Sequence, residues 1–329
     1  MASPNKVNLS RLAYTVYKHP DVTKYLQFAK DFGFDVTEKA EDGNFYLRGY
    51  GVDPYICIAS ECAPGEAKSF GGSGWVARTA EDFERACKMP GAEVIDISKR
   101  PGGGKMVRIP DNNGFPFEVL FGQEERPAPE RGLTRVVDGQ PNVNTAMEKP
   151  RKGQFNRMVT GPAMIHKLGH FGYATDNQAK TSAWYSNNFN FKATDILHKP
   201  GDPSAEILAF YHLDLGREYS DHHCLLIAGH HGPHQAGTEI HHSSYEVEDF
   251  DTQMMGHQWL MEKKYQQMWG VGRHVMGSQI FDYWFDTSGF IMEHYTDSDV
   301  VNENTPTHRQ ENTPGAIWGP PLPTAKFEA

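Results

Sequence analysis

The sequence predicts an α+β protein of two domains, each built from paired βαβββ modules. Three observations carry this expectation. The length, 329 residues, exceeds what a single hydrophobic core usually holds. An order of strand, helix and three strands recurs along the chain, twice in each half. The halves also align with each other: Phe32-Gly33-Phe34 with Phe189-Asn190-Phe191, Glu81-Asp82-Phe83 with Glu248-Asp249-Phe250, and GFPFEV, which contains Glu118, with GFIMEH, which contains Glu293.

In the first half, residues 8–17 read as a strand. Pro20-Asp21 opens a helix over 22–32, where Val22, Tyr25, Leu26, Phe28, Ala29 and Phe32 fall near helical spacing and Gly33 ends it. Residues 44–47 and 55–59 read as strands. Gly71-Gly72-Ser73-Gly74 is expected to be a glycine-rich turn; it matches neither a phosphate loop nor GxGxxG, so a flexible connection is preferred to a nucleotide site. A strand over 75–79, a helix over 80–89 and a hairpin through Asp111-Asn112-Asn113-Gly114 complete a domain over 1–122. Residues 123–160, rich in Pro, Gly and charge, read as a linker wrapping the surface. The second domain, over 161–304, starts with a strand over 167–175. Asp176 caps a helix running to about 187, strands cover 208–212, 224–228 and 241–247, and a long helix covers 251–269. From Thr305 the prolines predict an extended arm over 305–329.

The net charge of -10 argues against a general nucleic-acid binder. No run is apolar enough to span a membrane, and MASPNKVNLSRLAYTV lacks a signal-peptide core, so a cytoplasmic protein is expected. Cys57, Cys62, Cys87 and Cys224 form no CxxC pair and read as reduced structural thiols. Histidine is the unusual residue: there are sixteen, with seven between His222 and His242.

The stretch from Gly272 to Glu293 carries the chemistry. Asp282-Tyr283-Trp284-Phe285 has strand character, Thr287-Ser288-Gly289 turns, and Glu293 then places a carboxylate in an apolar strand. Burying that charge alone costs several kcal/mol or more, so it needs a cation: a bound metal or a buried Arg or Lys. In the alignment of the halves Glu293 falls on Glu118, His242 near Trp75 and His170 near Tyr14. The second half therefore offers two imidazoles and a carboxylate where the first has one carboxylate and two aromatic rings. Two His and one carboxylate on separate strands suit a facial triad on non-haem Fe(II), with Mn, Co or Ni also compatible; no cysteine spacing suits structural zinc.

The segments LGHFGYAT, DHHCLLIAG, EIHHSSYEVEDFD and GRHVMGSQIFDYWFDTSGFIME resemble a type I extradiol ring-cleavage dioxygenase of the vicinal oxygen chelate superfamily. In the last, Tyr283 follows His274 by nine and Glu293 follows Tyr283 by ten. The resemblance implies the vicinal oxygen chelate fold, a metal site only in the second domain, and a homo-oligomer. It implies Fe(2+) on His170, His242 and Glu293, with His223 as acid/base, Tyr283 on the substrate oxygen and His274 beside it. The substrates it implies are O2 and a catechol-like phenol. His222 and His241 adjoin two of these residues; neighbours in a strand face opposite sides, so one of each pair is expected inward, and the family register selects His223 and His242. Val275-Met276-Gly277 departs from the polar residues that family members often carry after His274. His230, His231 and His234 read as a solvated turn, Asp282 and Asp286 as surface groups, His166 and His212 as structural, and Lys99-Arg100 as a solvated face. Met164, Phe171, Trp184, Phe210 and Trp284 are candidate pocket walls, each more readily plain core. Two alternatives stand: a metal-dependent isomerase or lyase of the same superfamily, and a metal-free protein that binds aromatic ligands.

Overall fold

The structure, a computed structural model, describes residues 6–37, 39–127, 143–155, 157–230, 237–312 and 315–323. In the first half the elements are β1 (Leu9–His19), α1 (Val22–Phe32), β2 (Asp35–Val36), β3 (Phe45–Arg48), β4 (Cys57–Glu61), β5 (Ser69–Ala77), α2 (Ala80–Ala86), β6 (Glu93–Asp96), β7 (Lys105–Pro110) and β8 (Pro116–Phe121). In the second they are β9 (Ile165–Thr175), α3 (Gln178–Asn188), β10 (Phe191–Lys199), β11 (Asp202–Leu213), β12 (Ser220–Asp221), β13 (Leu225–Gly229), β14 (Thr238–Val247), α4 (Phe250–Glu262), β15 (Gln267–His274), β16 (Ile280–Phe285) and β17 (Ile291–Thr296). The last strands are β18 (Val300–Val301), β19 (His308–Glu311) and β20 (Ala316–Trp318).

The fold is α+β. One sheet has the order β2-β3-β4-β1-β5-β8-β7-β6, and a second the order β19-β10-β11-β13-β9-β14-β17-β16-β15-β20. Each is two modules joined through their first strands, β1 to β5 and β9 to β14, both antiparallel. The halves share one apolar core: Phe117 packs against Phe189 with ring centroids 4.4 Å apart, and Phe70 and Trp75 approach Phe171. Polar ties close the seam. Asn190 Oδ1 accepts from Leu9 N at 2.8 Å while its Nδ2 donates to Leu9 O at 3.0 Å. Asp31 on α1 accepts from Trp259 Nε1 and Tyr265 Oη of the second half. No helix among the described residues is long and apolar enough to cross a membrane.

The helix α1 has the predicted bounds, capped by the Asp21 side chain on Lys24 N and by left-handed Gly33. Elsewhere the structure corrects the sequence reading. Gly71-Gly72-Ser73-Gly74 is no turn; it lies within β5, and a Cβ on Gly74 would sit 2.3 Å from the Tyr14 ring. Glycine there is a packing requirement of close strand approach. The last helix stops at Glu262, and left-handed Lys264 turns the chain into β15. α3 is capped by Asn177 rather than Asp176. β10, absent from the sequence reading, pairs with β11. Among the described residues after Thr305 the chain pairs twice with the sheet, β19 with β10 and β20 with β15. The alignment of the halves also shifts. Tyr14 and His170 occupy matching places, opposite Gly74 and Ser244, as do Glu118 and Glu293, but His242 matches Gly72 instead of Trp75. Residues 128–142, 156 and 231–236 lie outside the described residues, so part of the linker and the His231 and His234 turn do too.

Candidate metal centre and active site

Three strands bring the candidate ligands together: His170 on β9, His242 on β14 and Glu293 on β17, all buried. One donor atom from each lies within 4.8 Å of the others. His170 Nε2 is 2.9 Å from His242 Nε2 and 3.2 Å from Glu293 Oε2, and His242 Nε2 is 3.5 Å from the same oxygen. Donors about 2.1 Å from one ion and at right angles lie roughly 3 Å apart, so the spacing fits one face of a coordination sphere. Both Glu293 oxygens and His170 Nδ1 are buried without a hydrogen-bond partner. The ion-pair partners of Glu293 among the described residues are imidazoles: His170, His242 and, at 3.7 Å, His274.

The matching carboxylate of the first half shows the other solution. Glu118 Oε1 accepts from Arg108 at 2.6 and 2.9 Å, and its second oxygen accepts from Tyr14 Oη. Arg108 pairs across the sheet with Glu118, as Tyr283 pairs with Glu293. One half satisfies its carboxylate with guanidinium and phenol; the other leaves it facing imidazoles.

Burial pushes the Glu293 carboxyl up, but His170, His242 and His274 outweigh it and hold it well below its ordinary range. Burial lowers His170 to about 4 and takes His223 well below the ordinary imidazole value, keeping both rings neutral. Burial, then Glu293, raises Tyr283 well above its usual range, so it remains a phenol.

A cavity of about 350 Å³ opens over the ligand cluster. His223 lines it, its ring centroid 4.1 Å from that of His170. Tyr283 and His274 line it too: Tyr283 Oη lies 2.9 Å from His274 Nε2, and His274 Nδ1 donates to Gly315 O at 2.9 Å. Leu197, Ile207, Phe210, Met268, Trp269 and Met276 supply apolar wall. Of the candidate wall residues, Phe210 lines the cavity, whereas Phe171, Trp184 and Trp284 pack in the shared core and Met164 does not line it.

His223 faces inward and His222 does not line the cavity. The other pair departs from strand alternation: His241 and His242 both line it, because a bulge between Ile240 and His242 inserts His241 as an extra residue. His241 Nδ1 lies 2.7 Å from His242 Nδ1 and so fixes the ring of a candidate ligand. Asp282 and Asp286 are buried, contrary to the surface reading: Asp282 accepts from Trp284 Nε1 and contacts His257, and Asp286 accepts from Ser288 N and Phe290 N. His166 contacts Glu246 at 2.7 Å and His212 contacts Thr194 at 2.6 Å. Asp195 and the arm residues Asn312, Gly315 and Leu322 escaped the sequence reading, and His241 was expected to face outward; a bulge or strand edge leaves no periodic signal.

A family model described as the Glyoxalase/Bleomycin resistance protein/Dioxygenase superfamily matches residues 167–293. The chain is 33% identical over 211 residues to metapyrocatechase 2 of Cupriavidus necator, covering 64% of this chain and 58% of that protein. It is 24% identical over 184 residues to the manganese-dependent 2,3-dihydroxybiphenyl 1,2-dioxygenase of Geobacillus genomosp. 3, covering 54% and 52%. The chain therefore spans between half and three fifths of these relatives. Among solved structures, homoprotocatechuate 2,3-dioxygenase of Brevibacterium fuscum, complexed with 3,4-dihydroxyphenylacetate, matches with a TM-score of 0.75 at 17% identity, over 100% of this chain and 95% of that one. The Mn(II)-bound glyoxalase of Novosphingobium aromaticivorans matches with a TM-score of 0.75 at 18% identity, over 98% and 94%. The likeness to these structures shows the vicinal oxygen chelate fold; since one is a dioxygenase and the other a glyoxalase, it leaves the reaction to the site.

Proposed function

We propose that this chain, which carries a domain of the Glyoxalase/Bleomycin resistance protein/Dioxygenase superfamily over residues 167–293, is an Fe(II)-dependent extradiol dioxygenase that opens a catechol-type ring with O2. The observation that carries the reading is the arrangement around the ligand cluster: His223 against His170, Tyr283 against His242 and hydrogen-bonded to His274, all lining one cavity. A metal-free ligand trap has no use for two imidazoles and a carboxylate converging in a buried site.

His170, His242 and Glu293 would hold the metal, which when bound supplies acidification of the catechol hydroxyls and a common site for substrate and O2. The neutral His223 accepts a hydroxyl proton and returns it as the ring opens. Tyr283, kept as a phenol, hydrogen-bonds the substrate oxygen and is itself held by His274. The apolar walls exclude water. Among the described residues no Lys or Arg lines the cavity, so a carboxylate on the substrate would be buried without a partner. The substrate is therefore a neutral catechol with an apolar substituent.

The test is oxygen uptake by anaerobically purified, Fe(II)-loaded protein on neutral and carboxylated catechols, watched for a yellow ring-opened product. Wild type should favour the neutral series, and His223→Ala should lower turnover about a hundredfold or more. Parallel Mn(II) loading decides the metal. Iron bound with no uptake on any catechol would overturn the reading in favour of an isomerase or lyase. A molecular mass in solution above 37.0 kDa is expected for the homo-oligomer.

A further inference from the structure

We propose that Asp195, acting through His222, sets which nitrogen of His223 faces the substrate; this rests on His223 being the acid/base. The chain of contacts is short and buried. Asp195 Oδ2 is 2.6 Å from His222 Nε2, and His222 Nδ1 is 3.0 Å from His223 Nδ1. A carboxylate only accepts, so His222 Nε2 carries the proton. For a neutral His222, Nδ1 is then a bare acceptor, and His223 donates to it from Nδ1. His223 Nε2 is left without a proton. No protein hydrogen bond to that nitrogen is present among the described residues, and the ring lines the cavity. The polarity set at Asp195 thus gives a general base its lone pair on the nitrogen that has no protein partner.

Three further features hold His222 in this role. A bulge between Ala193 and Asp195 breaks the alternation of β10, and Thr194 and Asp195 are both buried. Thr194 Oγ1 donates to His222 O at 2.7 Å and contacts His212 Nδ1 at 2.6 Å, so the same bulge grips the backbone and the ring of His222. On the other side stands Gly277, at φ +72°, where an added Cβ would lie 2.9 Å from His222 Nδ1. The Val275-Met276-Gly277 departure therefore has a physical account: Gly277 leaves room for the ring that orients His223. Asp195 and His222 are positioning residues, since neither lines the cavity.

The test is the tautomer of His223, read from ring ¹⁵N shifts of metal-free protein, with the signals assigned by His222→Asn and His223→Asn. Wild type should show His223 protonated at Nδ1 and bare at Nε2. Asp195→Leu removes the acceptor that holds the proton on His222 Nε2 and should release both rings from this single tautomer. In the metal-loaded enzyme the same substitution should lower kcat some ten- to hundredfold while KM stays within a few-fold. His223 protonated at Nε2 in wild type would overturn the proposal, and needs no variant to fold; so would an unchanged tautomer in a folded Asp195→Leu. If the tautomers are as expected but wild type cleaves no catechol, the functional reading falls and the orientation of His223 stands.

Discussion

Glu118 and Glu293 hold matching places in two copies of one module, and they show how a single carboxylate takes on different chemistry. Glu118 is neutralised by Arg108 and Tyr14, so it has no oxygen to spare for a metal. Glu293 keeps both oxygens without a hydrogen bond and faces imidazoles, of which burial holds His170 neutral. Removing the charge should therefore have opposite consequences. Glu293→Gln should abolish stoichiometric metal binding, and with it the rise in Tm on adding Fe(II) or Mn(II). In wild type that rise reflects about 2.7 kcal/mol at a hundredfold excess over Kd. Glu118→Gln should leave metal content unchanged while lowering stability by about 1–3 kcal/mol, because Arg108 loses its ionic partner. Metal analysis and calorimetry of the two variants check both; metal loss in Glu118→Gln would contradict the assignment of the site to one half.

At the level of elements, two bulges and one arm build the site. The bulge in β14 brings His241 beside His242, and the bulge in β10 buries Thr194 with Asp195. The arm spans the sheet from β10 to β15, and its backbone enters the site: Gly315 O accepts from His274, and Pro320 O accepts from Trp269 Nε1. Deleting residues 305–329 removes two edge strands and the carbonyl that orients His274. The truncated protein should keep its metal, since no ligand lies on the arm, but its kcat/KM should fall about tenfold or more. Unchanged kinetics would show that the arm only covers the sheet edges.

The whole molecule behaves as two sheets sharing one core, and its buried histidines make it acid-sensitive. Burial, with Lys68, lowers His19 to about 3; burial, with Lys192, lowers His212 to about 4. Both titrate near 6.5 once unfolded. Their contribution is complete above pH 6.5 and is lost as pH falls toward 4, because only the unfolded chain takes up those protons. Asp286, pushed up by burial to about 6 from 3.8, acts in the opposite sense over that range. His170 and His294, both lowered by burial to about 4, act with His19 and His212, so stability falls between pH 6.5 and 4. Calorimetry on metal-free protein should show Tm falling across this window, and His212→Gln should flatten the profile.

The repeat, the helix α1 and Glu293 were legible in the sequence, because helix periodicity, helix caps and a charge in an apolar strand are local signals; His170 and His242 came from aligning the halves, and His223 from the family resemblance. The register between the halves was legible at Tyr14 and Glu118 and lost at His242, since bulges change the count along one strand and not its partner. The burial of Asp282, the strand built on Gly72 and Gly74, the entry of His241 into the cavity and the grip of Asp195 on His222 were decided by tertiary structure alone. Each depends on what lies across a sheet, and a chain read by itself carries the spacing of its side chains but not the identity of the residues they will face.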